Sequence, residues 1–142
     1  MTQGTLLLIF FLDQLSKFLI LKTLSVGQSI PVLPPVFHLT LVHNRGIAFG
    51  LLRDWSSFLF WMNVIILAVL FVLMGLRLFK RPILQIAIGM IAGGGLGNLT
   101  DRLRFGAIVD FLDFRVWPVF NLADSAICIG TFLLLLATFQ KR

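Results

Sequence analysis

Between Phe58 and Leu76 the chain runs for nineteen residues whose only strongly polar member is Asn63. A bilayer core about 30 Å thick is crossed by about 20 apolar residues in a helix, and this run has that length and character. A domain surrounded by water has no place for it. It therefore fixes the class of fold as a chain built round membrane-spanning helices. Three further segments meet the same test. Leu122–Phe139 is polar only near its start and at Thr131 and Thr138. Pro82–Leu99 opens on a proline, at home in a first helical turn, with Gln85 its main interior polar residue. Gly4–Leu21 carries Asp13, Gln14, Ser16 and Lys17 within it. No Lys or Arg precedes Lys17, so the basic leader of a cleavable signal sequence is missing and the segment reads as a retained span.

Composition agrees and removes the alternatives. Of the 142 residues 58% are hydrophobic and 13% charged, about half the charge of a soluble domain. Intrinsic disorder and an ordinary soluble enzyme are both excluded. The net charge of +6 would suggest nucleic acid in a soluble chain; here phospholipid head groups are the simpler partner. The single cysteine, Cys128, allows no internal disulfide and lies in an apolar run, where a small core residue is expected.

Four spans put both termini and the loop Arg77–Arg81 on one side, with 22–57 and 101–121 on the other. Basic residues number five on the terminal side and up to seven opposite, so the count alone does not orient the chain. The five, however, have no acidic neighbours, whereas those opposite can each pair with an Asp. This places the termini in the cytoplasm. In the first extracytoplasmic segment Gly27, Pro31, Pro34 and Pro35 mark turns, and Val36–Val42 reads as a short strand. Asn44–Arg45–Gly46 follows as a turn, and Ile47–Trp55 as a piece lying on the membrane surface.

All six acids are Asp, and every one but Asp13 falls on the extracytoplasmic side or at a helix end facing it. Asn98 and Asp101 are three apart, as are Asn121 and Asp124, so each pair shares a helix face. Between them lie Arg102 and Gly106–Phe111 with Asp110, while Asn44 and Arg45 arrive from the earlier loop. Two carboxylates brought together, Asp110 and Asp124, hold one proton between them; the ionised member takes a proton from water and the protonated one polarises a carbonyl. That is peptide hydrolysis with neither metal nor cofactor. Other chemistries are poorly supplied: His38 and His43 are the only histidines, no zinc-ligand spacing occurs, and Gly93–Gly97 lacks the Lys of a phosphate loop.

Structural readings stand beside these. Gly89, Gly93 and Gly97 follow the small-residue spacing of close helix packing. Asp101 beside Arg102 is expected to form an ion pair at a helix end, and Asp13 with Lys17 an intrahelical pair. Asp54 and Asp113 read as surface or loop-pairing charges, His38 and His43 as polar loop residues. Asp110 and Asp124 themselves could be solvated interface residues, which leaves a proton-coupled carrier or a membrane scaffold as rival functions.

Five motifs in order resolve the choice. They are Asp13–Lys17, Asn44–Gly50, Gly93–Arg102, Gly106–Phe111 and Phe120–Ser125. Together they resemble the bacterial lipoprotein signal peptidases (signal peptidase II), aspartyl proteases of four spans. The resemblance implies an all-α membrane bundle with a small extracytoplasmic β-sheet and a surface helix, forming a single domain over 1–142. It implies Asp110 and Asp124 as the catalytic dyad. Asn44, Arg45, Gly46, Asn98, Asp101, Arg102 and Asn121 would shape the site, with Asp13 and Lys17 in support. The expected substrate is a prolipoprotein carrying diacylglycerol on its cysteine, cut just before that residue in the bacterial cytoplasmic membrane. A monomer is the expected state.

Overall fold

The computed structural model of the protein describes residues 1–46 and 56–139. Four helices among them are long and apolar enough to cross a membrane: α1 (Thr2–Thr23), α2 (Ser56–Gly75), α3 (Pro82–Phe105) and α4 (Leu122–Phe139). At about 1.5 Å per residue their 18 to 24 residues reach about 27–36 Å, enough for a bilayer core. Three strands form the rest, β1 (Ser29–Leu33), β2 (Phe37–Asn44) and β3 (Ile108–Asp113), in one antiparallel sheet of order β1-β2-β3. The predicted surface piece Ile47–Trp55 lies outside the described residues.

α3 is the centre of the bundle, with α1 and α4 packed closely on it. The reason is its glycines. A Cβ at Gly93 would stand 2.6 Å from the Leu6 carbonyl oxygen, and one at Gly89 would stand 2.7 Å from that of Thr2, so α1 lies directly on this face. Gly94 faces α4 in the same way, 2.5 Å from the Ala123 carbonyl, and Gly130 of α4 returns the contact to Ala87. The predicted close packing of Gly89, Gly93 and Gly97 is thus present, and it admits α1 against α3. Gly93→Ala should cost about 1–3 kcal/mol, because its methyl meets backbone that moves only if the whole helix does. The check is the unfolding midpoint in detergent.

α2 is held differently. Only Leu59 and Leu67 of its residues are buried, and one side-chain hydrogen bond, from Asn63 Nδ2 to the Gly95 carbonyl at 3.2 Å, ties its middle to α3. Large apolar side chains on α1, α2 and α4, such as Phe11, Trp61, Ile65 and Phe132, point outward, as a lipid-facing surface requires.

The sheet caps one end of the bundle. Ile20 and Leu24 from α1 join Leu41, Val109 and Phe111 in a buried cluster that fastens it down. Several elements ran beyond their predicted limits, α1 and α2 by two residues at an end and α3 by six. The third span continues to Phe105, past Leu99, because Asp101, Arg102 and Arg104 are helix-compatible and the two arginines suit a helix C-terminus. It stops at Gly106, which takes the left-handed conformation (φ 66°) that glycine adopts without penalty. β2 likewise extends to Asn44, where Gly46 N–H donates to Asn44 Oδ1 at 2.9 Å and closes the predicted turn. β3 had no sequence-level counterpart, and Pro31, expected at a turn, lies instead within β1, paired in register with His38. Cys128 corrects an expectation: it is exposed on the outer face of α4, not a core residue.

Candidate active site

The end of the bundle under the sheet gathers polar side chains from α1, β2, α3, β3 and the start of α4. At its base is a buried ion triad. Lys17 on α1 is 2% exposed, and its ammonium lies 2.8 Å from Asp13 Oδ2 and 2.7 Å from Asp101 Oδ2. The predicted Asp13–Lys17 pair is therefore present. The predicted Asp101–Arg102 pair is not: successive helical side chains diverge, and Asp101 points into the bundle toward Lys17. Each carboxylate is also tied to backbone. Asp13 Oδ1 accepts from Ala123 N–H at 2.9 Å, at the start of α4, and Asp101 Oδ2 accepts from Val109 N–H at 3.1 Å, on β3. Gln14 adds a third tie, donating to Asp13, to Asp101 and to the Gly97 carbonyl at 3.1–3.3 Å. Sequence reasoning passed over Gln14 as a site residue, although it stands three residues before Lys17 and so neighbours it on the helix surface.

Above the triad stand two asparagines whose amide orientations are dictated by their partners. Lys17 can only donate, so Asn98 must turn Oδ1 toward it (3.2 Å) and Nδ2 toward Asp124 Oδ1 (2.8 Å). Asn121 Oδ1 accepts the Asp124 backbone N–H at 2.8 Å, which leaves its Nδ2 for Asp110 Oδ1 at 2.7 Å. The same Nδ2 reaches Asn98 Oδ1 at 3.2 Å and so joins the two amides. Asn44, at the end of β2, donates to Asp110 Oδ2 at 3.0 Å. Asp110 and Asp124 are thereby held in one network, one on a strand and one in the first turn of α4.

What sets their separation is a short tether. Phe120 N–H donates to the Leu112 carbonyl at 3.1 Å, and the Phe120 carbonyl accepts from Phe111 and Leu112 at 3.0 and 2.8 Å. The chain leaving β3 is thus folded back beside it before α4 begins.

Asp110 is 1% exposed and its carboxyl is pushed up to about 7. Burial is the largest cause and the negative Asp124 the second; the amides of Asn44 and Asn121 and the charge of Lys17 pull the other way without cancelling them. Asp113, three residues on, shows the opposite balance. Burial raises it, but Thr40 Oγ1 at 2.7 Å and Arg115, through its backbone at 2.8 Å and guanidinium at 3.1 Å, outweigh burial and hold it below its ordinary value. It is a paired loop charge, as expected. Asp54 lies outside the described residues.

The remaining predicted residues sit round the rim. Arg102 is half-buried and within electrostatic range of Asp124, Asp110 and Asp101. Gly46 is buried beneath Asn44, whereas Arg45 is exposed and stands outside the network of the described residues. His38 and His43 are strand residues on β2, not loop residues; His43 is paired in register with Val109 and stacks on Phe105. A groove of about 380 Å³, lined by Phe114, Trp117, Phe120, Ser125 and Cys128, opens onto Asp124. Its aromatics had drawn no functional reading from sequence, since spacing alone does not separate a groove wall from a core.

Comparison with known proteins follows the same lines. A family profile for signal peptidase (SPase) II matches residues 5–140. The lipoprotein signal peptidase of Halothermothrix orenii is 43% identical over 136 residues, covering 96% of this chain and 93% of that protein. That of Pelotomaculum thermopropionicum is 48% identical over 126 residues, covering 89% and 83%. Among solved structures, a bacterial membrane enzyme at 32% identity superposes with a TM-score of 0.89 over 99% of this chain and 91% of the other. With agreement of this extent in both sequence and fold, the chain belongs to the signal peptidase II family of membrane aspartic peptidases.

Proposed function

We propose that the protein removes signal peptides from diacylglyceryl-modified prolipoproteins, cleaving before the lipidated cysteine, with Asp110 and Asp124 as the acid–base pair. The observation that carries the reading is the joining of these two carboxylates through Asn121, with Asp110 near 7 and so able to hold a proton at neutral pH. A carrier would need acids near mid-bilayer on several helices, and only Asp13, midway along α1, approaches that depth.

The chemistry then needs one proton on the dyad. The ionised carboxylate accepts a proton as water oxygen bonds to the scissile carbonyl carbon, while the protonated carboxyl donates to the carbonyl oxygen. Collapse of the tetrahedral species breaks the C–N bond: the proton taken from water passes to the leaving amine, and a hydroxyl of the diol returns its proton to the first carboxylate as the carbonyl re-forms. The dyad returns to one proton and the products separate. Asn98, Asn121 and Asn44 place the carboxylates, and Lys17, through Asn98, fixes which amide end faces Asp124. Arg102 would offset charge developing beside the dyad.

The location suits the substrate. An acyl-anchored cysteine presents its peptide bond at the membrane interface, where this end of the bundle lies, and the groove of Phe114, Trp117 and Phe120 offers apolar walls to residues beside the cut. We place the termini in the cytoplasm and the dyad at the outer face of the bacterial cytoplasmic membrane, in a single-domain monomer.

The test is cleavage of a purified, lipid-modified prolipoprotein in detergent, with the new N-terminus identified by mass spectrometry. Cleavage before the lipidated cysteine supports the reading; no cleavage there defeats it. The same assay across pH carries a second expectation. Asp110 titrates near 7, so the one-proton state is lost above that pH. The value of kcat/KM should fall about tenfold per unit on the alkaline side, with an apparent pKa of about 7 belonging to the pair.

A further inference from the structure

At the other end of the bundle lies a groove of about 910 Å³ that the peptidase reading leaves without a role. Its walls come from the first turns of α1 (Leu6, Leu7), the last turns of α2 (Phe71, Met74) and Phe79 of the connecting loop. Its rim carries two cations, Arg77 and Lys80, both exposed. Among the described residues no acidic side chain pairs with them, the ion pairs of the structure being those of Lys17 and Arg115. Arg81, the third cation of the loop, is already used: it donates to the Ala137 carbonyl at 2.7 Å and ties the loop to α4. Gln85 Nε2 holds the Phe79 carbonyl at 3.0 Å and so fixes the loop's path over the groove.

A groove of mixed lining, apolar along Leu6, Leu7, Phe71 and Met74, polar at Thr2, Gln3 and Gln85, and positive at Arg77 and Lys80, fits a molecule with an apolar chain and an anionic, hydrogen-bonding head. We propose that this groove binds an anionic glycerophospholipid, its phosphate between Arg77 and Lys80 and an acyl chain between α1 and α2. A zwitterionic lipid is a poorer fit, since its ammonium would meet the same two cations. A free phosphate would leave the apolar wall unused. The wall also runs on into outward-facing Leu7 and Phe71, 63% and 44% exposed, so a chain lying there continues into the bilayer.

The expectation is quantitative. Two cations near a membrane surface account for a roughly 30-fold preference for an anionic over a zwitterionic head group. It is read by native mass spectrometry of the whole protein in nonionic detergent, titrated with phosphatidylglycerol or phosphatidylcholine of the same acyl composition. Retention of phosphatidylglycerol at about 30-fold lower concentration, reduced to near parity in Arg77→Gln/Lys80→Gln, supports the site. Lys22→Gln, which removes a cation at the opposite end, should keep the preference. If the double variant keeps it, or Lys22→Gln loses as much, the assignment is wrong. If inorganic phosphate alone raises the unfolding midpoint as far as the lipid does, the site takes a simple anion and the lipid assignment fails.

Discussion

Asp110→Asn should leave a protein that folds at least as well as the parent at pH 8 and cuts nothing. The two halves of that expectation rest on one fact. The Asp110 carboxyl stands near 7 in the folded protein against an ordinary value of 3.8, so the folded state binds this proton more tightly than the unfolded chain. A carboxyl raised in this way contributes its stability fully at pH values below about 4. That contribution is lost as pH rises through about 7. At pH 8 the buried charge is a burden, and each unit of displacement is worth about 1.4 kcal/mol. Asparagine removes the charge. It also sets one amide donor against those of Asn44 and Asn121, so the net gain should be no more than about 1–2 kcal/mol. Activity moves the other way: without a second titrating carboxyl no group can hold the shared proton, and the rate should drop about 1,000-fold or more. Asp124→Asn should be equally inactive. Unfolding midpoints and cleavage rates on the same preparations separate this result from simple misfolding. An Asn variant at either position that keeps a near-normal rate would remove that residue from the dyad and bring Asp101 forward.

Lys17→Met should do the reverse and destroy the fold more than the chemistry. Among the described residues its ammonium is the one cation in contact with Asp13 and Asp101, both buried, and each of those carboxylates holds a backbone N–H of another element. Removing one partner from a buried ion cluster costs about 3–5 kcal/mol, because the charges left behind have lost their compensation. The measurement is the unfolding midpoint or the yield of folded protein in detergent. A rescue distinguishes charge from shape. Asp13→Asn/Lys17→Met/Asp101→Asn keeps an oxygen for Ala123 N–H and for Val109 N–H while removing all three charges, and it should recover most of the loss. If Lys17→Met alone melts like the parent, the triad is not what holds α1, α3 and β3 together.

How much of this was legible beforehand follows from the range of the forces involved. The four spans could be read because lipid imposes a demand on every residue of a segment, and Phe58–Leu76 meets it throughout. The two Asn-x-x-Asp pairs could be read because helical spacing is local. Partner choice could not. Asp101 selects Lys17 across the bundle over its own neighbour Arg102, and nothing in the order of residues announces that. β3 was hidden for a different reason: buried on both faces apart from Leu112, it lacks the alternation that marks a half-exposed strand. Cys128 misled because an apolar run signals a core in water but an outer surface in lipid. The proposal that Asp110 and Asp124 form a dyad came from motif order; the residues alone left it open beside a solvated pair.

The light attachment of α2 has a consequence for how such an enzyme can admit a guest. Asp13, Lys17, Asn44, Asn98, Asp101, Asp110 and Asp124 come from α1, β2, α3, β3 and α4, and Asn121 from the residue just before α4. The most loosely seated helix contributes nothing to that set. A shift of α2 would therefore break none of the hydrogen bonds described between Asp110, Asp124 and the asparagines that hold them.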